Sequence, residues 1–181
     1  MTTELAYTYN DFGLPVKLTY TDVDGETRTV REETNLTYDG NGNILTEAVT
    51  EAYSGSTTKT RTYQYDLGNR LISAAYDGTT TTYTYDAVGN RLTRQEGTET
   101  AETYTYNYLN QLTRVQQGTN HVYYEYDSLN QLVREDNSIL NKSITYTYDD
   151  RGNILNKVEY AYVANGGTLG TATDTITYGY E

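Results

Sequence analysis

The chain of 181 residues has no Cys and no Trp, and only one each of Pro, Met, Phe and His. Without Cys it forms neither disulfides nor thiolate metal sites, which leaves the redox compartment open. One His cannot assemble a multi-histidine metal centre within a chain. Basic residues are scarce: 13 Lys and Arg face 25 Asp and Glu, for a net charge of −12. Phosphate backbones and anionic lipid surfaces are bound through Lys and Arg, so neither nucleic acid nor a membrane surface is an expected partner. No stretch approaches the roughly 20 apolar residues of a spanning helix, so no membrane insertion is expected. No signal peptide follows Met1-Thr2-Thr3. Runs of Ala, Leu and Glu at a helical period are missing as well.

What the chain has in abundance is Tyr, 22 of them. Tyr and Thr favour strands, because aromatic and branched side chains pack well on a pleated sheet. The tyrosines recur in a motif, Tyr-x-Tyr-Asp followed by a Gly or Asn turn. One copy reads Tyr83-Thr84-Tyr85-Asp86-Ala87-Val88-Gly89-Asn90-Arg91-Leu92. Others are Leu36-Thr37-Tyr38-Asp39 with Gly42, and Tyr146-Thr147-Tyr148-Asp149 with Gly152. A shorter form is Tyr63-Gln64-Tyr65-Asp66 with Asn69, and Tyr124-Glu125-Tyr126-Asp127 with Asn130. Tyr104-Thr105-Tyr106-Asn107 with Asn110, and Tyr7-Thr8-Tyr9-Asn10 with Gly13, complete seven copies. From the second Tyr of each copy the intervals are 29, 27, 20, 21, 20 and 22 residues. Such a period marks an array rather than a compact globule. A partial copy, Ile176-Thr177-Tyr178-Gly179-Tyr180, runs into the last residue, as expected for a piece of a longer array.

Alternation places Tyr83 and Tyr85 on one face of a strand and Thr82, Thr84 and Asp86 on the other. The same holds for the pairs Tyr63/Tyr65, Tyr104/Tyr106, Tyr124/Tyr126 and Tyr146/Tyr148. Asp86-Ala87-Val88-Gly89 fits a type I turn, with Asp first to accept backbone N–H bonds and Gly fourth in a left-handed conformation. Asn69, Asn110 and Asn130 hold that fourth place in the short form, and Asn is the next-best residue there. The long form carries one more residue before its Leu, and a β-bulge is expected to absorb it and return Leu92 to the tyrosine face. The predicted fold is all-β: about fourteen antiparallel strands in a meander, two per repeat, with one face of Tyr and Leu and one of Thr, Glu, Gln, Lys and Arg. The longer early intervals read as extended hairpin arms around Asp22-Val23-Asp24-Gly25 and a loop at Ser54-Gly55-Ser56. Asn165-Gly166-Gly167 marks another long loop, and Pro15 suits a strand start.

The motif Tyr-Asp-x-x-Gly-Asn-x-Leu at spacings near 20 resembles the YD-repeat family, also called the RHS-repeat family, from about Tyr7 to Tyr180. The resemblance implies one continuous array over residues 1–181, with repeats starting near 7, 36, 63, 83, 104, 124 and 146 and a partial one near 176. It implies a strip of hairpins of the kind that builds hollow shells in bacterial toxin complexes, and that serves adhesion in wall-associated proteins and teneurins. It therefore points to a secreted or cell-surface setting in bacteria and to neighbouring repeats, or self-association through sheet edges, as the partners. No effector segment and no self-cleaving aspartate motif is recognisable, so the wall-building role alone carries over.

The recurring Asp39, Asp66, Asp86, Asp127 and Asp149 are expected to cap their own turns rather than to catalyse, because Asn107 replaces the charge in one copy while keeping the cap. Gly42, Gly89 and Gly152 are the matching left-handed positions. Asp22-Val23-Asp24-Gly25-Glu26 opens like a calcium loop, but its sixth position is Thr27 where a Gly is needed. His121 sits in a strand-like run and is expected to be solvated. Gly166-Gly167 lacks the Lys and helix of a phosphate cradle. No cofactor is expected, and the chain is expected not to be an enzyme. A glycan remains a candidate partner, since tyrosine rings stack on sugars.

Overall fold

The structure, a computed structural model, describes residues 2–24, 26–51 and 57–180. Gly25 and the Ser54-Gly55-Ser56 loop lie outside these, as do the side chains of the candidate calcium loop. There is no helix among the described residues, and fifteen strands are present where about fourteen were expected. They are β1 (Thr2–Tyr9), β2 (Pro15–Asp24), β3 (Glu26–Tyr38), β4 (Ile44–Glu51), β5 (Thr57–Tyr65), β6 (Leu71–Tyr76), β7 (Thr79–Tyr85), β8 (Arg91–Glu96), β9 (Glu102–Tyr106), β10 (Leu112–Gln117), β11 (Asn120–Tyr126), β12 (Leu132–Asn137), β13 (Lys142–Tyr148), β14 (Ile154–Ala161) and β15 (Ala172–Thr177). The residues form two compact units, Met1–Thr84 with Gln95–Thr98, and Tyr85–Arg94 with Glu99–Glu181. Within each, strands pair antiparallel with their neighbours in chain order.

Every fully described repeat has the same register. Tyr9 faces Pro15, Tyr38 faces Ile44, Tyr65 faces Leu71, Tyr106 faces Leu112, Tyr126 faces Leu132 and Tyr148 faces Ile154. One strand residue later the register shifts in all six. The bulge is thus common to both forms of the motif. The turns have one length, and the motif's Leu falls on the bulge in one form (Leu45, Leu155) and on the paired position in the other (Leu71, Leu112, Leu132). Leu92 and Leu155 stay more than a third exposed; with Thr93 opposite Thr103, alternation sets Leu92 on the side of Tyr104. On the opposite edge β6 and β7 are joined by Asp77-Gly78, both at positive φ (50° and 80°), as a tight two-residue hairpin requires.

Burial alternates along β5 and β7 as the sequence does, with the Tyr positions half-buried and every Thr but Thr81 exposed. Few side chains are fully enclosed. Leu36, Ala48 and Val49 form the buried apolar set of the first unit, and Val122 and Ile144 that of the second. The tyrosine face is not free of charge, contrary to the simple two-face expectation. Glu47, 6% exposed, accepts from Arg61 Nη1 at 3.0 Å and from the Tyr63 hydroxyl at 2.7 Å. Lys157, opposite Tyr146, donates to Glu159 at 2.7 Å. Paired in this way, the charges lose less on leaving water.

Candidate functional site

Each repeat closes on a five-residue turn built by one side chain. In the Asp86 copy, Asp86 Oδ1 accepts the backbone N–H of Val88 (3.1 Å) and of Asn90 (2.8 Å), while Oδ2 accepts Asn90 Nδ2 (2.9 Å). Asp39 receives Asn41 N, Asn43 N and Asn43 Nδ2, and Asp149 receives Arg151 N, Asn153 N and Asn153 Nδ2. Asp66 binds Gly68 N and Arg70 N, with Arg70 Nε at 2.7 Å as an ion pair. Asp127 takes Leu129 N and Gln131 N, and Asn107 takes Leu109 N and Gln111 N through its amide oxygen. The fourth turn position has positive φ in all seven copies: Gly13 76°, Gly42 86°, Asn69 60°, Gly89 100°, Asn110 61°, Asn130 65° and Gly152 84°. The five carboxylates are not brought together, and each serves its own turn. The side-chain donation of Asn43 and Asn153 holds Asp39 and Asp149 below the usual carboxylate range, and the Arg70 N–H does so for Asp66. For Asp86, burial pushes the carboxyl up but the Asn90 and Val88 donors outweigh it.

Two contacts that the motif does not announce join one repeat to the next. The first runs along the turn edge. Asn43 Nδ2 donates to Asn69 Oδ1 (2.9 Å), Asn90 Nδ2 to Asn110 Oδ1 (2.9 Å) and Gln111 Nε2 to Asn130 Oδ1 (3.2 Å). An amide at the end of one turn thus meets the left-handed Asn of the next. The second is a phenol clamp. The second Tyr of a copy donates its hydroxyl to the carbonyl that opens the returning strand of the preceding copy: Tyr38 to Pro15, Tyr106 to Arg91 (2.9 Å), Tyr126 to Leu112 (3.0 Å), Tyr148 to Leu132 (2.6 Å) and Tyr180 to Ile154 (2.8 Å). Burial raises the phenols of Tyr38, Tyr65, Tyr126 and Tyr148, keeping them protonated as donors. The first tyrosines behave differently. Tyr63 bonds Glu47, Tyr104 bonds Glu102, and both phenols are pushed up to about 12 by burial and then by those carboxylates. Burial raises Tyr124 and Tyr146 too, and Tyr83 and Tyr85 are half-buried.

A third arrangement lies in the second unit, where residues 162–171 between β14 and β15 return across the sheet as a strap. Asp136, 1% exposed, accepts Gly166 N (3.0 Å) and Arg134 Nε (2.9 Å). Arg134 Nη2 donates to Gly167 O (2.9 Å), and the fully buried Ser143 accepts Val163 N (2.9 Å). Burial alone would raise the Asp136 carboxyl, but the Gly166, Ser143 and Arg134 donors hold it below its ordinary value. His121 is not a solvated strand residue. Its Nδ1 faces Thr119 O at 3.0 Å and its Nε2 meets the Tyr162 hydroxyl, with the ring edge-on to Tyr123. Gly166-Gly167 is therefore a fastened turn, in which a Cβ on Gly167 would collide with Val163. No cluster of three metal-ligating side chains occurs among the described residues.

The Teneurin YD-shell family matches residues 2–157, most of the chain. The chain belongs to that family. The fold of this YD-shell segment is also similar to that in two crystal structures. That of TcdB2-TccC3-TEV has a TM-score of 0.65 at 16% identity, covering 86% of this chain and 9% of the other. That of TcdB2-TccC3-Cdc42 has a TM-score of 0.59 at 14% identity, covering 88% and 10%. The segment thus spans about a tenth of the length of the solved chains it matches. No curated protein sequence matches it. The YD-shell match covers the seven repeated turns but not the strap, all of which lies beyond residue 157.

Proposed function

We propose that this segment is a wall-building module: one continuous YD array over residues 1–181 that forms part of a shell or surface stalk of a larger bacterial protein, without enzymatic activity of its own. The observation that carries this reading is the repeat-to-repeat bonding. Turn amides and tyrosine hydroxyls spend their hydrogen bonds on the neighbouring copy, which is what a load-sharing strip needs and a catalytic pocket does not. Asp39, Asp66, Asp86, Asn107, Asp127 and Asn130 then act as structural turn residues, and the paired tyrosines as the packed face. The setting is outside the cell or on its surface, and the partners are further repeats, added through the outer edges of β1 and β15. Nothing in the geometry favours a glycan on the tyrosine face, where the phenols are already engaged.

Removing one whole repeat tests the reading. Deleting residues 107–126 joins Tyr106 to Asp127, equivalent points of successive copies. A one-dimensional array should still fold, with a strand-type circular dichroism spectrum and a smaller denaturant slope. A collapsed, unfolded product would show that the repeats serve one specific tertiary site instead. A glycan array, run on the parent protein, provides the counter-test, since selective binding abolished by Tyr→Ala changes would favour an adhesion module.

A further inference from the structure

In an Asn-Gly dipeptide the asparagine amide is open to attack by the backbone nitrogen that follows, because no Cβ shields that nitrogen. The chain has two such pairs, Asn41-Gly42 and Asn165-Gly166. Both asparagines are exposed, and both glycine N–H groups are engaged, but by different means. Gly42 N donates to Asp39 O of its own turn (3.1 Å), and Asn41 Nδ2 is tied to Asn69 Oδ1 (2.8 Å). Gly166 N donates to Asp136 Oδ2 (3.0 Å), a carboxylate on β12 that is 1% exposed. That bond lasts only while the strap is docked, with Val163 N on Ser143 Oγ and Arg134 Nη2 on Gly167 O. Asn165 and Gly166 sit at φ 40° and 72°, two left-handed residues in succession, for which Asn-Gly is a favoured pair. The turn thus calls for the labile dipeptide, and Asp136 stands on its reactive nitrogen.

We propose that Asn165-Gly166 is a deamidation site held closed by Asp136, and that its conversion releases the strap irreversibly. In the reaction the Gly166 nitrogen gives up its proton and bonds to Asn165 Cγ. The bond from Cγ to the side-chain nitrogen breaks, and that nitrogen takes up a proton and leaves as ammonia. Water then opens the succinimide ring. Cleavage at Cγ gives aspartate, and cleavage at the main-chain carbonyl gives isoaspartate, whose backbone runs through one more carbon. The balance is one water consumed and one ammonia released, with no redox change. Attack needs the Gly166 nitrogen without its proton, and the Asp136 carboxylate opposes this by accepting the N–H and repelling charge that develops on the nitrogen. Release follows from the products. Each carries a new carboxylate in a turn already set against two, since Asp136 bonds Gly166 N and a Cβ on Gly166 would lie 3.1 Å from Glu125 Oε1. Like charges so placed disfavour the docked strap. Isoaspartate also shifts Gly166 and Gly167 along the chain, away from Asp136 and Arg134. The inference goes beyond the wall-building reading and does not rest on it.

The test ages the full chain at mildly alkaline pH, in buffer and in guanidinium chloride, with both Asn-Gly pairs followed by peptide mass spectrometry. Asn165 in the folded chain should convert at least about tenfold more slowly than in denaturant, because the strap must open first. Asp136→Ala should speed Asn165 several-fold while Asn41, in the first unit, keeps its rate. If that variant unfolds, both pairs speed up together. Ser143→Ala, which loosens the strap and keeps Asp136, then decides by the same ratio. The converted protein, separated by its added negative charge, should show faster hydrogen exchange at Val163 and Gly166. Folded Asn165 that converts as fast as in denaturant overturns the proposal. So does an unchanged ratio of Asn165 to Asn41 conversion in the deciding variant, or a converted protein whose strap amides exchange as before.

Discussion

If the tyrosine hydroxyls join successive repeats, removing one oxygen should weaken the array without disturbing its shape. Tyr126→Phe deletes the bond to Leu112 O and Tyr148→Phe the bond to Leu132 O, while both keep the ring and its packing. A net hydrogen bond is worth about 0.5–1.5 kcal/mol. Both carbonyls are only part-buried and can recruit water, so about 1 kcal/mol each is expected. For a chain of this length that is a fall in Tm of about 2–4 °C per variant. The two sites share no partner, so the double variant should cost about 2 kcal/mol. Tyr108→Phe is the control: Tyr108 is 92% exposed on a turn, so its change should stay within about 0.5 kcal/mol. Urea unfolding midpoints, followed by circular dichroism, would measure all four proteins. Indistinguishable midpoints for Tyr126→Phe, Tyr148→Phe and Tyr108→Phe would refute the clamp.

Four further outcomes follow from the geometry. Gly89→Val forces a branched residue to φ 100° and should cost about 1–2 kcal/mol or more, whereas Asn130→Gly should be close to neutral, offset only by the loss of the 3.2 Å bond from Gln111; the same urea assay decides. Asp39, Asp66, Asp86 and Asp149 have folded-state pKa values below their unfolded ones, so their stabilisation is present above the unfolded value near 3.9 and is lost as pH falls through the folded values; a Tm that stays flat from pH 5 down to pH 2 would contradict this. Tyr63 and Tyr104, at about 12, contribute stability below the unfolded value near 10 that is lost as pH rises toward 12, so an ultraviolet phenolate titration should show a late-titrating class absent in urea. Finally, the outer edges of β1 and β15 should support concentration-dependent association that strengthens with salt, and a single monomeric species across sedimentation conditions would show those edges to be closed.

The sequence makes the strands legible because Tyr-x-Tyr alternation and the Asp-to-Gly turn agree on the same hairpin at every copy. At the bulge it tells only part. Counting to Leu gives two spacings and points to a bulge in the long form, whereas counting from Tyr85 to Arg91, as from Tyr65 to Leu71, gives one; the backbone register and not the apolar residue is the constant quantity along this array. It also hides whatever depends on two copies at once. Asn43 reads as a generic turn residue until Asn69, in the next repeat, is seen to accept from it. The hydroxyl of Tyr148 finds an acceptor only after Leu132 has been placed beside it. The strap is hidden for a different reason. Asp136 and Ser143 face each other across one hairpin, but Gly166 is 30 residues from Asp136 and carries no repeat signal, and only the folded chain brings it to them.

The amide row along the turns has a gap. Gln131 stands in the place from which Asn90 and Gln111 reach forward, but the next turn offers Gly152, whose missing Cβ would lie 3.2 Å from Gln131 Nε2. At the left-handed position the chain thus chooses between glycine, which takes the conformation without strain, and asparagine, which also supplies a rung. Mechanically, the choice sets where the turn edge is laced and where it is not. A load drawn along that edge would pass from Asn90 through Asn110 and from Gln111 through Asn130, and would find no stitch at Gly152. Within the second unit the strip should therefore yield first at that point, with its tyrosine clamp the remaining tie.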